Sequence, residues 1–378
     1  MNNPQIAPLL PPELINAIIS EVDSKQVLLN LRLTSKTFSE IATPHAFRTF
    51  DVPMKSNAKR LAMEFWEALD LVRHVQEVRL NAPDGTEGFW DVVKDDEGND
   101  VLQLPLTSEW EWTYRIEDIK FIFSNLVKFP RLHTLRLYCI EKYRPQPRWE
   151  DPDYEPTPSY MLELEICRAI ASSKLVEMVQ TFEIQHLLPY RLVLHHFNSP
   201  SSRLTSLTIT DCLRNPCISL WFWRVITFPR LQHLHLEKVG IKIRQEPFVP
   251  PHTDLETFLL RHGSIKTLKL HKCLIAGREL DDPNELDFPR TWAPVWESVA
   301  EILPHLIRFD FEPAPRRHAD ENSTFVDYIK LVYGLYYSSL GYHSMPSYDW
   351  EANADDLPSE RDEAVAWEEL QLTLEKRR

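Results

Sequence analysis

Few residues in this 378-residue chain have the types and spacing that catalysis or metal binding requires. His233 and His235 lie two positions apart on a predicted strand, so they share a face and could grip a metal ion. No third ligand is close in sequence, and we interpret both as surface histidines. Asp281-Asp282 and Asp355-Asp356 are paired acids in predicted loops, without a neighbouring group that suggests general acid and base roles.

The motifs that hold phosphates or activate nucleophiles are also absent. The chain has only eight glycines, none in a GxGxxG or GxxxxGK[ST] arrangement, and it has no HExxH or GxSxG sequence. Cys212 and Cys273 fall at predicted buried positions, where cysteine behaves as a small hydrophobic residue. We therefore expect no catalytic residues, no metal and no cofactor, and we do not interpret the chain as an enzyme.

Charge and composition limit the classes of partner and the cell compartments that we expect for this protein. The net charge is −14, yet residues 1–83 carry nine basic and nine acidic residues, so all the excess acid follows Pro83. Such acidity repels phosphate backbones, which argues against nucleic acid or an anionic membrane as the main partner. Five cysteines without a CxxC pair suit a reducing compartment, and no apolar run approaches the roughly 18 residues of a membrane span. We expect a cytoplasmic and/or nuclear protein.

The stretch Leu9–Phe50 is unusually apolar, since Leu, Ile, Val and Phe supply 16 of its 42 residues. A helical unit of about 40 residues has too much surface for its volume to bury all of these side chains internally. Some of them must therefore lie against the rest of the chain or against another protein.

Capping and breaking residues divide this stretch into three predicted helices. The first begins at Pro11-Pro12, where missing N–H donors are tolerated. Asp23 is the predicted N-cap of the second helix, and Thr34 or Ser35 that of the third. Thr43-Pro44 is predicted to end the third helix, because the residue before proline disfavours helical angles.

An ordered set of residues across this stretch resembles an F-box. The set comprises Leu10-Pro11, Glu13-Leu14-Ile15, the turn at Asp23, Leu28-x-x-Leu31-Arg32-Leu33, Ser35-Lys36-x-Phe38 and Thr43-Pro44. The resemblance implies docking to the Skp-type adaptor of a cullin-RING ubiquitin ligase. The adaptor-facing residues that it implies are Leu10, Pro11, Leu14, Ile15, Ile18, Leu28 and Leu31.

A six-residue pattern, apolar-x-x-apolar-x-apolar, then returns eight times. Its last position falls at Val52, Leu80, Leu137, Ile184, Ile209, Leu236, Leu270 and Phe311. Three of the gaps, of 28, 25 and 27 residues, match the length of about 20–29 residues typical of leucine-rich repeats. Leu204–Cys212 and Ile265–Ile275 match the fuller pattern of that repeat, so Phe47–Glu312 resembles an irregular leucine-rich solenoid. Short strands alternating with helical stretches give a parallel sheet backed by helices.

We therefore predict an α/β fold in which residues 1–50 form a small all-α F-box domain. Residues 51–345 are predicted to form the irregular leucine-rich-repeat solenoid, and residues 346–378 an acidic tail or helix. Acidic insertions rich in Pro and Trp are predicted at Asp84–Trp112, Glu141–Ser159 and Gly277–Trp292. They are either disordered loops with anchored tryptophans, which we favour, or binding loops. An aromatic helix over Phe325–Tyr342 is predicted to seal the open end of the sheet.

Residues that alternate with the core positions are predicted to line the outer side of the sheet, where stacked repeats would form one concave strip. The strip has charges of both signs, which suits a protein partner better than a polyanion. The predicted substrate-binding residues are Arg79, Arg136, Tyr138, Glu183, His235, Glu237, Lys269, His271 and Asp310.

The two resemblances together imply a substrate-recognition subunit of an SCF-type ubiquitin ligase. Its partners would be a Skp-type adaptor, a cullin bound through that adaptor, and an unidentified protein substrate. Such a subunit acts by raising the local concentration of target lysines near the conjugating enzyme. The alternative is a non-degradative protein-interaction scaffold built on the repeat solenoid.

Overall fold

The computed structural model describes residues 10–53, 57–81, 91–94, 100–103, 109–139, 158–186, 190–210, 222–246, 249–276, 278–279, 286–287, 291–312, 333–334 and 360–378. These residues have a mixed α/β architecture. A helical unit at the N-terminus precedes an eight-stranded parallel sheet that is backed by helices.

The N-terminal unit consists of three helices, α1 (Pro12–Ser20), α2 (Lys25–Leu31) and α3 (Lys36–Ala46). Ser35 caps α3 by accepting a hydrogen bond from the Phe38 N–H at 3.2 Å, which confirms one of the two predicted caps. The N-cap of α2 is Ser24 and not Asp23. Asp and Ser are equally good caps, and here the Ser24 hydroxyl is the group that reaches a backbone N–H of the first turn.

The predicted end of the third helix at Thr43-Pro44 is wrong, since α3 continues through Pro44 to Ala46. Proline removes only one backbone hydrogen bond at this point near the helix end. Ala42 and Ala46 are both buried in the core of the helical unit, and this packing holds the last turn in place.

The eight parallel strands follow one another in space in their chain order. They are β1 (Thr49–Asp51), β2 (Glu77–Asn81), β3 (Thr134–Tyr138), β4 (Thr181–Gln185), β5 (Ser206–Thr210), β6 (His233–Glu237), β7 (Thr267–His271) and β8 (Arg308–Glu312).

Helices connect these strands, as the helix-spaced apolar residues predict. They are α4 (Ala58–Glu67), α5 (Leu69–Val72), α6 (Glu109–Ser124), α7 (Pro158–Ala171), α8 (Tyr190–Phe197), α9 (Phe222–Val225), α10 (Asp254–Leu259) and α11 (Trp292–Ile302), followed by the C-terminal α12 (Glu360–Arg377). Two 3-10 helices cover Leu126–Lys128 and Lys174–Glu177.

The same pair of hydrogen bonds recurs at the entry to seven of the strands. Two successive backbone N–H groups donate to one carbonyl of the preceding strand entry, at 2.8–3.1 Å. The accepting carbonyls belong to Arg48, Gln76, His133, Gln180, Thr205, Gln232 and Lys266. This regularity extends from β2 to β8, although the chain between the strands varies widely in length.

Alternate residues of each strand point into one large hydrophobic core. Val78 and Leu80 of β2 and Leu268 and Leu270 of β7 are at most 1% exposed, together with the equivalent residues of the strands between them. Helix residues such as Phe123 complete the same core, which extends from Phe50 to Leu374. The residues between these buried positions are partly exposed, so the sheet presents a second, polar face.

A buried histidine joins α10 to the turn before β6. The Nε2 atom of His262 accepts a hydrogen bond from the Phe228 N–H at 2.8 Å, so Nδ1 carries the proton and donates it to the Phe258 carbonyl at 2.7 Å. Burial lowers the pKa of His262 to about 4, because the charged imidazolium would be desolvated here.

The C-terminal helix α12 covers the end of the core beside β8. Trp367 packs against Trp296 of α11 at a ring distance of 5.6 Å, and Leu370 and Leu374 are buried. The Arg377 guanidinium donates to the carbonyls of Ala300 and Leu303 at 2.7 and 2.8 Å, at the C-terminal end of α11.

The predicted aromatic helix Phe325–Tyr342 lies outside the described residues except for Tyr333–Gly334. These two residues form a strand, so the prediction of helix is wrong there. They belong to a second sheet with the order Val249–Thr253, Gly240–Glu246, Leu274–Ala276 and Tyr333–Gly334.

Parts of two predicted insertions are ordered strands. Asp91–Lys94 pairs with Asp100–Gln103 in an antiparallel hairpin, and Arg278–Glu279 pairs with Leu286–Asp287. Trp292, at the end of the third insertion, is 1% exposed and stacks on Trp296. Most of Glu141–Ser159 lies outside the described residues, which include only the start of α7 there.

Candidate protein-interaction surfaces

The first helix divides its apolar residues between two sides. Ile15 and Ile19 are buried, whereas Leu14 and Ile18 are 52% and 59% exposed. Leu14 and Ile18 are four positions apart and therefore share one face of α1. Leu10, just before the helix, is 53% exposed, and Pro11 is exposed as well. These four residues form what we call the α1 apolar surface.

The structure therefore separates the seven residues implied for adaptor contact. Leu28 lies with Ile15 in the core of the helical unit, and Leu31 is half-buried against that core. These three residues hold the helices together, which leaves the α1 apolar surface available for contact with a partner. Val27 and Leu33, which were not in the predicted set, are further exposed apolar residues of the unit.

Parallel register brings the predicted substrate-binding residues onto one side of the sheet. Neighbouring strands align Arg79, Arg136, Glu183, Thr208, His235, Lys269 and Asp310 in one row. A second row contains Tyr138, Gln185, Thr210, Glu237, His271 and Glu312. We call this side the polar sheet face. All nine predicted residues lie on it, although the strand register does not show that they bind a substrate.

An ion-pair network occupies the polar sheet face across β2, β3 and β4. The Glu77 carboxylate forms ion pairs with the guanidinium groups of Arg79 at 2.8 Å and Arg136 at 3.3 Å. Glu183 contacts Arg136 at 3.1 Å and accepts the Tyr138 hydroxyl hydrogen bond at 2.8 Å. Burial, followed by this bond, raises the pKa of Tyr138 to about 12. The two arginines and the two glutamates neutralise one another, so this part of the face has little free charge. We call it the ion-paired platform.

A different cluster occupies the face across β6, β7 and β8. The imidazole rings of His235 and His271 pack edge to face with centroids 4.9 Å apart. His271 lies 3.6 Å from the Asp310 carboxylate and 3.8 Å from that of Glu312. Arg308 and Lys272 also contact these two acids, at 3.7 and 3.5 Å respectively.

Sequence reasoning missed several members of these two clusters. Glu77 and Arg308 lie at strand entries, and Lys272 follows β7. Lys272 has a left-handed backbone with φ of 54°, as do His186 and Lys238 at the equivalent positions after β4 and β6. All three residues directly follow a strand, and this shared position could have been found from the repeated pattern in the sequence. Their left-handed angles could not, because such angles are uncommon outside glycine.

The described ranges contain neither a cluster of metal ligands nor a membrane-spanning helix. Within them, no group of three or more His, Cys, Asp or Glu residues is arranged to hold a metal ion. No helix in the described part of the chain has the length and hydropathy needed to cross a bilayer.

Comparison with known proteins adds one match. The F-box domain family matches residues 8–49, which contain all three N-terminal helices and the α1 apolar surface. No curated protein matches the chain. F-box proteins generally serve as adaptor subunits and not as enzymes, and they bind Skp-type adaptors. Residues 8–49 of this chain are an F-box domain.

Proposed function

We propose that this protein is a substrate-recognition subunit of an SCF-type cullin-RING ubiquitin ligase. The observation that carries the proposal is the α1 apolar surface, which an F-box domain presents outside its own core. Leu10, Pro11, Leu14 and Ile18 contact the Skp-type adaptor in this proposal, and the adaptor connects the chain to cullin.

The physical basis of this contact is the area that the surface leaves in water. Leu10, Leu14 and Ile18 each keep slightly more than half of their surface exposed. Full burial of such a side chain is worth roughly 1.5–3 kcal/mol, so covering the exposed halves of three residues supplies about 3 kcal/mol. Contributions of this size suit the apolar centre of a specific protein interface.

The sheet domain is the substrate-binding part in this proposal, and we assign it to the irregular leucine-rich-repeat solenoids. The recurring pair of hydrogen bonds at strand entry and the polar sheet face support the assignment. We place the boundary between the domains just before β1, because Phe47 packs on the core of the helical unit and Phe50 belongs to the core of the sheet. The predicted boundary at residues 50 and 51 would divide β1. Because α12 packs against the larger core, we include residues 360–378 in the repeat domain.

The mechanism is positioning, without bond chemistry by this chain. A protein target held on the sheet domain and a conjugating enzyme held through adaptor and cullin belong to one assembly. The effective concentration of target lysines near the activated ubiquitin therefore rises.

Adaptor binding by surface variants tests the proposal. The variant Leu14→Glu/Ile18→Glu places two charges on the α1 apolar surface, and Leu69→Glu is the matched control at a residue that is 75% exposed on α5. We expect the wild-type chain and Leu69→Glu to bind purified Skp-type adaptor and the double variant to lose that binding, because an unpaired buried charge is costly. All three should have the same circular dichroism spectrum. Adaptor binding by the double variant at wild-type affinity would overturn the proposed contact.

A further inference from the structure

Among the described residues, an unpaired lysine lies beside two histidines on the polar sheet face, at β6 and β7. Lys269 of β7 makes neither a hydrogen bond nor an ion pair with any residue that the structure describes. Its register partner on β6 is His235, and His271 lies two positions further along its own strand. The Nε2 atom of His235 is buried and has no hydrogen-bond partner among the described residues, whereas that of His271 lies 3.6 Å from the Asp310 carboxylate.

These three side chains have an excess of donors over acceptors. An ammonium group can only donate, and an imidazole nitrogen donates when it carries a proton. The Thr208 hydroxyl, beside His235 in the register of β5 and β6, adds another group that can donate. Groups of this kind that lack partners favour a ligand that accepts hydrogen bonds and carries negative charge.

The acids nearby do not supply that charge. Asp310, the register partner of Lys269 on β8, contacts Arg308 and His271, and Glu312 contacts Lys272 and His271. Glu237 is the exception, since it has no ion pair within the described part of the chain, but it lies in the next row beside His271. Its charge repels an acid in that row and favours docking in the row of Lys269 and His235.

The overall charge of the chain does not cancel this local effect. The chain carries a net charge of −14, but a ligand on this row responds most to the charges that lie closest to it. At physiological ionic strength, charges further apart than about 8 Å are largely screened. Groups in direct contact with a ligand therefore decide the local preference.

We propose that an acidic side chain of the protein target, an Asp or Glu carboxylate, docks between Lys269, His235 and His271. This inference rests on the proposed function, because it assigns the chemical class of the target segment that the sheet domain binds. The carboxylate accepts a hydrogen bond from the Lys269 ammonium and lies beside the two imidazole rings, whose buried Nε2 atoms it does not reach. The ion-paired platform on β2 to β4 lies alongside and contacts the rest of the segment.

Protonation of His235 is coupled to this docking. Burial, followed by the positive charges of His271 and Lys269, lowers the pKa of His235, while Glu237 and Asp310 act in the opposite direction. A docked carboxylate adds a negative charge beside the ring and raises that pKa again. Binding therefore takes up protons and is tighter at pH 6 than at pH 7.5.

The test is selection from a random-peptide phage library on the full chain, with three variants of matched design. Lys269→Glu reverses the charge at the site, Lys269→Gln removes it, and Lys266→Glu makes the same reversal at an exposed lysine just before β7. We expect wild type and Lys266→Glu to enrich peptides with Asp or Glu at a fixed position. Synthetic copies of these peptides should bind Lys269→Glu about tenfold more weakly, with Lys269→Gln in between.

Several results would overturn the inference. They are an absence of enriched peptides on wild type, enrichment without an acidic position, and equal affinity of Lys269→Glu and Lys266→Glu. A phosphoserine copy that binds more than tenfold tighter than the Asp copy would replace the carboxylate with a phosphate. None of these results touches adaptor binding, which Lys269→Glu leaves unchanged, so failure here and failure of the proposed function are distinguishable.

Discussion

Ile18 and Ile19 offer a matched pair of identical residues with opposite environments. Ile18 is 59% exposed and Ile19 is 2% exposed, although they are adjacent on α1. Full burial of an isoleucine is worth roughly 1.5–3 kcal/mol, so covering the exposed part of Ile18 with adaptor contributes about 1–2 kcal/mol. Ile18→Ala should therefore weaken adaptor binding about five- to thirtyfold and leave the stability of the chain unchanged.

Ile19→Ala should act on folding. It creates a cavity in a small core at a cost of about 2–5 kcal/mol. The buried members of this core among the described residues are Ile15, Ile19, Leu28, Ala42 and Ala46. Because this core is separate from that of the sheet, the F-box domain should lose its protection against hydrogen exchange while the sheet keeps its own.

Hydrogen exchange by mass spectrometry and titration calorimetry with purified adaptor measure the two effects on the same samples. Equal loss of exchange protection in both variants would refute the assignment of Ile18 to an exposed interface. Unchanged adaptor affinity of Ile18→Ala would refute its role in binding.

Three further outcomes follow from contacts in the sheet domain. The pKa of His262 is about 4 in the folded protein and 6.5 in the unfolded chain. Between pH 6.5 and pH 4 the unfolded state therefore binds more protons. The free energy of unfolding should fall by about 1.4 kcal/mol for each pH unit below pH 6.5. Denaturant unfolding at pH 7, 6 and 5 measures this slope, which should become shallower in His262→Asn, with a remainder from His74 and His235, whose pKa values burial also lowers. Arg377→Met removes the hydrogen-bond donors to the carbonyls of Ala300 and Leu303. The protection of the α12 amides against hydrogen exchange should therefore fall at least about tenfold. Protection equal to that of wild type would show that the apolar contacts of α12 suffice to hold it. Tyr138→Phe should lower the free energy of unfolding by about 1 kcal/mol through the lost bond to Glu183, and no change would mean that water replaces it.

Local patterns in the sequence were sufficient to predict the strands and most connecting helices. The apolar-x-x-apolar-x-apolar pattern places Leu80, Leu137 and Leu270 in the core, where they are at most 1% exposed. Period-two alternation has this power because a one-residue slip would expose every buried side chain of a strand. The same alternation predicted which residues share the polar sheet face.

Features that depend on contacts distant in sequence could not be predicted. The C-terminal helix was predicted as an acidic tail or helix because its acids dominate its composition, while Trp367, Leu370 and Leu374 recur at helical spacing among them. Their burial against α11 depends on an approach from residues more than 60 positions earlier. Likewise, the motif of the F-box could not separate Ile15 from Ile18, since burial on α1 is decided by α3 packing against it.

The most direct test of the central claim is the mass of the complex formed when the full chain is mixed with purified Skp-type adaptor and cullin. Mass photometry at equal concentrations should show one species that contains one copy of each protein, and this species should be missing for Leu14→Glu/Ile18→Glu. A species of chain and adaptor without cullin would support the non-degradative scaffold instead. Absence of any complex with adaptor would contradict the account that the F-box domain of this chain is a docking module.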